Sequence, residues 1–158
     1  MMGKRAEKAH ERFTEGYNCA QSVAGAFADL ISMDESLLLR AASPFGGGVG
    51  RLREMCGAVS GMVLTAGILY GYDDPGDKGV KAEHYAVIRD LCEQFRTRHG
   101  SIICKDILGG NPQIGGDPAE RTPAFYGTRP CLRCVYDAAE ILEEYIAAHP
   151  PKTEKEST

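Results

Sequence analysis

Basic residues are scarce: 18 Lys and Arg stand against 22 Asp and Glu, a formal charge of -4 over 158 residues, with a pI near 5.6. A nucleic-acid surface announces itself as a basic stripe, and the chain has none. Tryptophan is absent. No segment alternates polar and apolar residues over the length of a strand, which excludes a half-buried sheet as the organising element. The opening stretch MMGKRAEKAHERF is charged and helix-like and has no apolar h-region. It predicts a chain without a secretory signal, resident in the cytoplasm.

Long apolar runs are lacking too. The longest uncharged stretch, Met55 to Tyr72, reaches only the short limit of a bilayer span, which takes about 20 apolar residues. Every other helical segment is amphipathic and must pack on something, so this one predicts a core helix rather than membrane insertion. Its small residues, Gly57, Gly61, Gly67 and Gly71, let neighbouring helices approach closely.

What is present is helical. Lys4 to Glu15 is amphipathic and stops at Gly16, and Asn18 with Gln21 three residues on forms a capping-box pattern for the next helix. Glu35 to Ala42 follows, capped by Asp34 and closed by Ser43-Pro44. Val80 to His99 is a long helix with Tyr85, Ile88, Cys92 and Phe95 on one stripe. Ser101 is placed to cap a short helix, IICKDIL. Asn111 to Pro130 carries no hydrophobic period and is long enough to be functional. A last helix starts near Pro130 and runs to about Ala148. The expected fold is all-α: one domain over residues 1–149, an orthogonal helical bundle around the Met55–Tyr70 helix. Residues 150–158 read as a disordered tail.

The cysteines are unusual in placement. In a reducing compartment, six thiols point to metal binding or catalysis more than to structural disulfides. Cys19, Cys56, Cys104 and Cys131 each fall in the first turn of a different expected helix. A helix start carries partial positive charge and unpaired N–H donors, and both lower a thiol's pKa. If the four starts converge, they form a four-thiol pocket. Cys92, mid-helix on an apolar stripe, belongs to the core. Cys134 makes the motif CLRC with Cys131, a redox dithiol or half a zinc site. The common zinc-ribbon pattern fails because a second Cys-x-x-Cys is missing.

Six glycines crowd Phe45 to Gly61. The run has neither the Lys-Ser/Thr of a P-loop nor the last glycine of a dinucleotide fingerprint. It predicts a turn whose amides form an anion-binding nest beside Cys56, with Gly46, Gly47, Gly48, Gly50 and Gly57 contacting a cofactor. Arg51 and Arg53 add positive charge, which makes Cys56 the first candidate for a reactive thiol. The histidines, His10, His84, His99 and His149, form no triad with a carboxylate and a nucleophile in sequence.

The segments GYNCAQSV, SPFGGGVG, CGAVSGMVLTAGILYG, GSIICKDILG and the late cysteine before VYDAAEIL occur in order from about Phe13 to Ile146. Together they resemble the redox-active proteins named for their C_GCAxxG_C_C pattern. The signature cysteines of that pattern match Cys19, Cys56, Cys104 and Cys131; Cys92 and Cys134 lie outside it. The resemblance implies redox chemistry without supplying a substrate. Four cysteines are the usual complement of an iron–sulfur cluster, so the leading expectation is a [2Fe–2S] electron carrier with a redox partner protein, ligated by those four thiolates. Two alternatives stay open. One is a metal-free thiol–disulfide oxidoreductase using pairs such as Cys19–Cys56 or Cys131–Cys134; the other is a thiolate site for zinc or a soft metal.

Overall fold

The computed structural model describes residues 3–151. Among them are eight α-helices: α1 (Lys4–Thr14), α2 (Cys19–Gly25), α3 (Glu35–Ala42), α4 (Gly57–Tyr70), α5 (Lys78–His99), α6 (Cys104–Leu108), α7 (Pro123–Thr128) and α8 (Cys131–Ala148). Short 3-10 turns at Ala28–Leu30 and Ser43–Phe45 complete the order. The fold is all-α. Among the described residues, no helix is long and apolar enough to cross a membrane. The expected tail lies outside the described residues from position 152 onward.

Local signals explain most boundaries. Asn18 accepts from the Gln21 amide while Gln21 returns a bond to the Asn18 amide, a complete capping box. Asp34, Asp77 and Thr122 cap α3, α5 and α7 through their side chains. Gly16 and Gly100 take positive φ where α1 and α5 end. The start of α1 is capped from a distance: Glu143 of α8 accepts from the amides of Gly3 at 2.6 Å and Arg5 at 2.9 Å. A carboxylate there satisfies orphan donors and complements the helix dipole.

Three expectations change. Ser101 does not cap α6; its hydroxyl accepts from the Ile103 amide and donates to Asp106, and Ile103 takes the cap position. The segment 111–130 contains α7, a helix too short for periodicity to reveal. Tyr85 is exposed, so the buried stripe of α5 is Leu91 and Phe95 instead. The first two turns of α4 are buried on all sides, from Gly57 to Met62. Its last turn surfaces at Ile68. The centre is shared: α8 packs on α1, α2, α4 and α5, while α2 packs on α1, α3 and α4.

The α2–α4 contact is backbone to backbone. A Cβ on Gly61 would stand 2.5 Å from the Ala20 carbonyl oxygen and 3.0 Å from its Cα. Gly67, one and a half turns on, has open space instead. Gly61→Ala should therefore cost about 2 kcal/mol of overpacking and lower Tm by about 6 °C. Gly67→Ala should gain up to about 1 kcal/mol of helix propensity. Thermal unfolding of the two variants checks both signs.

Candidate functional site

The starts of α2, α4, α6 and α8 meet at one cavity of about 340 Å3. Cys19, Cys104 and Cys131 are the first residues of α2, α6 and α8, and Cys56 sits one position outside α4, as its N-cap. All four line the cavity, with Cys134 from the next turn of α8. Cys92 does not line it; it packs at the edge of the core.

Two backbone devices bring them together. An antiparallel bridge pairs Met55 with Ile103, with the Cys56 amide on the Ile102 carbonyl at 2.7 Å and the Cys104 amide on the Glu54 carbonyl at 2.6 Å. Cys56 and Cys104 are thereby held side by side. The second device is a left-handed loop. Gly47, Gly48, Val49, Gly50 and Arg51 run consecutively at φ between 55° and 71°, and Arg53 follows at 62°. Its closing bonds run from Arg53 and Glu54 back to Gly47 and Gly48. A Cβ on Gly48 would meet that of Cys104 at 2.8 Å, so this glycine provides close approach as well as dihedral freedom. Val49 is β-branched and has no such freedom; its positive φ is strain held by the surrounding bonds.

Residues 17–145 match the family described as "Putative redox-active protein (C_GCAxxG_C_C)". The chain belongs to that family. No curated protein matches it, nor does any solved structure. For this C_GCAxxG_C_C protein the family description carries redox activity through cysteines and no substrate.

The acidity of each of four thiols is set first by one other thiol, in couplings that differ from the pairs the sequence suggested: Cys19 with Cys131, and Cys56 with Cys134. Within each pair one sulfur is acidified. The Cys19 thiol, with the charges of Arg129, Arg53 and Arg121, brings Cys131 down to about 7 against the opposition of burial. Cys19 is raised in turn, by its bond to Cys131 and by burial. Cys56 is lowered by the Cys134 thiol and then by the Ala58 and Val59 amides at the start of α4. The Cys134 thiol and the expected helix-start amides thus acidify Cys56, while the glycine run and the arginines are not among the causes. Cys134 is raised by Cys56 and by burial. Cys104 is raised by burial, which the guanidinium of Arg53, 3.8 Å from its sulfur, opposes.

His99 is the side chain beside the thiols that sequence reading missed. Its Nδ1 lies 3.8 Å from the Cys134 sulfur, and its Nε2 lies 2.8 Å from Oδ2 of buried Asp137. Asp137 also accepts from Arg98 at 3.3 Å and Arg133 at 3.2 Å. With Nε2 on Asp137, Nδ1 is the ring nitrogen turned toward Cys134. Phe95 stacks on the ring at 4.6 Å. The signal available in sequence was Cys134 and Asp137 three apart on one face of α8; only the fold supplies the histidine.

Among the described residues, no three His, Cys, Asp or Glu side chains stand close enough to hold a metal ion.

Residue-by-residue alkylation of the reduced protein checks the electrostatics. Cys131 should react first, with its rate half-maximal near pH 7. Cys92, raised by burial, should be slow at neutral pH and gain rate only above the ordinary thiol range. Cys92 reacting before Cys131 would contradict this assignment.

Proposed function

We propose that this protein is a thiol–disulfide redox protein in which two dithiols, Cys19–Cys131 and Cys56–Cys134, open onto one cavity. The observation that carries the reading is that five thiols, Cys19, Cys56, Cys104, Cys131 and Cys134, line one cavity. In support, Cys131 and Cys56 are shifted toward the thiolate, and Cys19 and Cys134 away from it. That is what two-step exchange requires: a thiolate attacks first and a resolving thiol follows.

The chemistry balances with a small disulfide RS–SR as oxidant. The Cys131 thiolate attacks one substrate sulfur, a Cys131–SR bond forms and RS⁻ leaves, taking a proton from solvent. Cys19 then loses its proton and attacks the Cys131 sulfur, forming Cys19–Cys131 and expelling the second RS⁻. From the Cys131 thiolate the protein has lost two electrons and the Cys19 proton; with one further proton from solvent, the substrate leaves as two RSH. Cys56 and Cys134 follow the same course as nucleophile and resolver. There, His99 Nδ1 is the acceptor for the Cys134 proton and Asp137 is the positioning residue that fixes the tautomer.

Anaerobic titration of reduced protein with a small disulfide, followed by peptide mapping, tests this. Cross-links should join Cys19 to Cys131 and Cys56 to Cys134, leaving Cys92 and Cys104 as thiols. His99→Gln should slow closure of the second pair by about a hundredfold while leaving the first pair's closure rate within about twofold. Cross-links of Cys19 to Cys56 or Cys131 to Cys134 would overturn the pairing. A brown protein holding iron and sulfide after anaerobic purification would replace this reading with a cluster on Cys19, Cys56, Cys104 and Cys131.

A further inference from the structure

The charged residues lining the cavity are all of one sign: Arg51, Arg53, Arg121 and Arg129, with no lysine and no carboxylate among them. This occurs in a chain whose net charge is -4. A guanidinium cannot shed its charge at any ordinary pH, so these four keep the cavity positive, with Asp117 acting on Arg51 as the one carboxylate nearby that moves it.

The four arginines are not equivalent. Arg121 is used structurally: its two Nη atoms donate to the carbonyls of Phe13 and Tyr17, each at 3.0 Å, and its guanidinium lies 4.2 Å over the Phe13 ring. Arg53 is different. It is 2% exposed, its Nε donates to the Gln113 carbonyl and its Nη1 reaches Cys104, yet its Nη2 is buried with no hydrogen-bond partner. Buried donors of a charged group are almost always paired. The bond recorded for Arg51 uses Nε alone, on the Gly115 carbonyl at 2.9 Å. Arg129 rests on the Phe125 ring at 4.8 Å.

Backbone donors add to these. The left-handed loop closes with bonds donated by Val49 through Glu54, and none of them comes from Gly46, Gly47 or Gly48, which line the cavity. Successive amides in such a turn form an anion-binding concavity. Opposite them stand the apolar faces of Phe13, Phe125 and Ile107. A volume of about 340 Å3 falls at the small end of ligand pockets, roughly 300–1,000 Å3.

We propose that the cavity binds a small organic disulfide bearing an oxyanion group, held by Arg53 and Arg51 with the glycine amides while its sulfurs meet Cys131. This deepens the dithiol reading and rests on it. The reaction is the exchange already described, RS–SR being reduced to two RSH as Cys19–Cys131 forms.

The test compares two aromatic disulfides on the reduced full chain by stopped flow. One, 5,5′-dithiobis(2-nitrobenzoate), carries two carboxylates; the other, 4,4′-dithiodipyridine, is uncharged at neutral pH. The readout is the ratio of their second-order rate constants, which cancels changes in thiol acidity common to both. Arg53→Gln should lower the ratio about tenfold, the size of one charge-assisted hydrogen bond. Arg51→Gln, at a partly exposed site, should lower it several-fold and covers the case in which the Arg53 variant does not fold. Arg53→Lys should recover part of the loss. Rapid reaction with both reagents at a ratio unchanged by either glutamine variant would overturn the anion site and leave the dithiol reading intact. Reaction with neither faster than a free cysteine peptide would overturn both.

Discussion

Burying a thiolate removes its hydration, and the architecture around the cavity replaces that hydration with fixed donors. The Ala58 and Val59 amides serve Cys56, and the charges of Arg129, Arg53 and Arg121 act on Cys131. Each acidified sulfur also has a neighbouring thiol to share a proton with, Cys134 for Cys56 and Cys19 for Cys131. Four thiolates in one pocket would repel one another, so lowering one sulfur's pKa raises its neighbour's. Helix starts are where a fold offers unpaired amides, which is why four of them are aimed at a single point.

Aiming them needs close backbone approach. Gly57 and Gly61 let α4 lie against α2, so that a Cβ on Gly57 would already touch that of Cys19 at 3.0 Å. The left-handed loop then carries the chain on from α3 along the cavity wall, placing Arg51 and Arg53 toward the segment 113–116. The bonds from Arg51 and Arg53 to the carbonyls of Gly115 and Gln113, and from the Gly115 amide to Arg51, tie that segment down as a wall. The strain at Val49 and Arg51 belongs to this bargain between reach and conformation. The same glycines therefore set the packing of the fold and the shape of the site.

Much of this was legible in the chain. Caps at Asn18 and Asp34, stops at Gly16 and Gly100, and the uncharged Met55–Tyr70 segment are local signals that act within a turn or two of where they stand. The placement of the thiols at helix starts was visible for the same reason. His99 was not. Its partners lie 35 and 38 positions away on α8, and beside Gly100 it reads as a cation at a helix end. The helix α7 escaped because six residues, Pro123–Thr128, hold too little periodicity to register, although Thr122 and Pro123 were its cap and first turn.

The sequence by itself determined the class of fold, most of the helix starts and the four cysteines of the family pattern, because capping and hydrophobic period are short-range physics. Tertiary structure decided which sulfur acts on which. Cys131 and Cys134 share one helix turn and invite pairing with each other, yet the acidity of each is set first by a thiol on a different helix, α2 for one and the start of α4 for the other. A side chain's partner across a cavity depends on how helices cross, and crossing is set by packing contacts between residues far apart in the chain. The same packing buried Arg53 with one donor unpaired, a fact that no local pattern encodes.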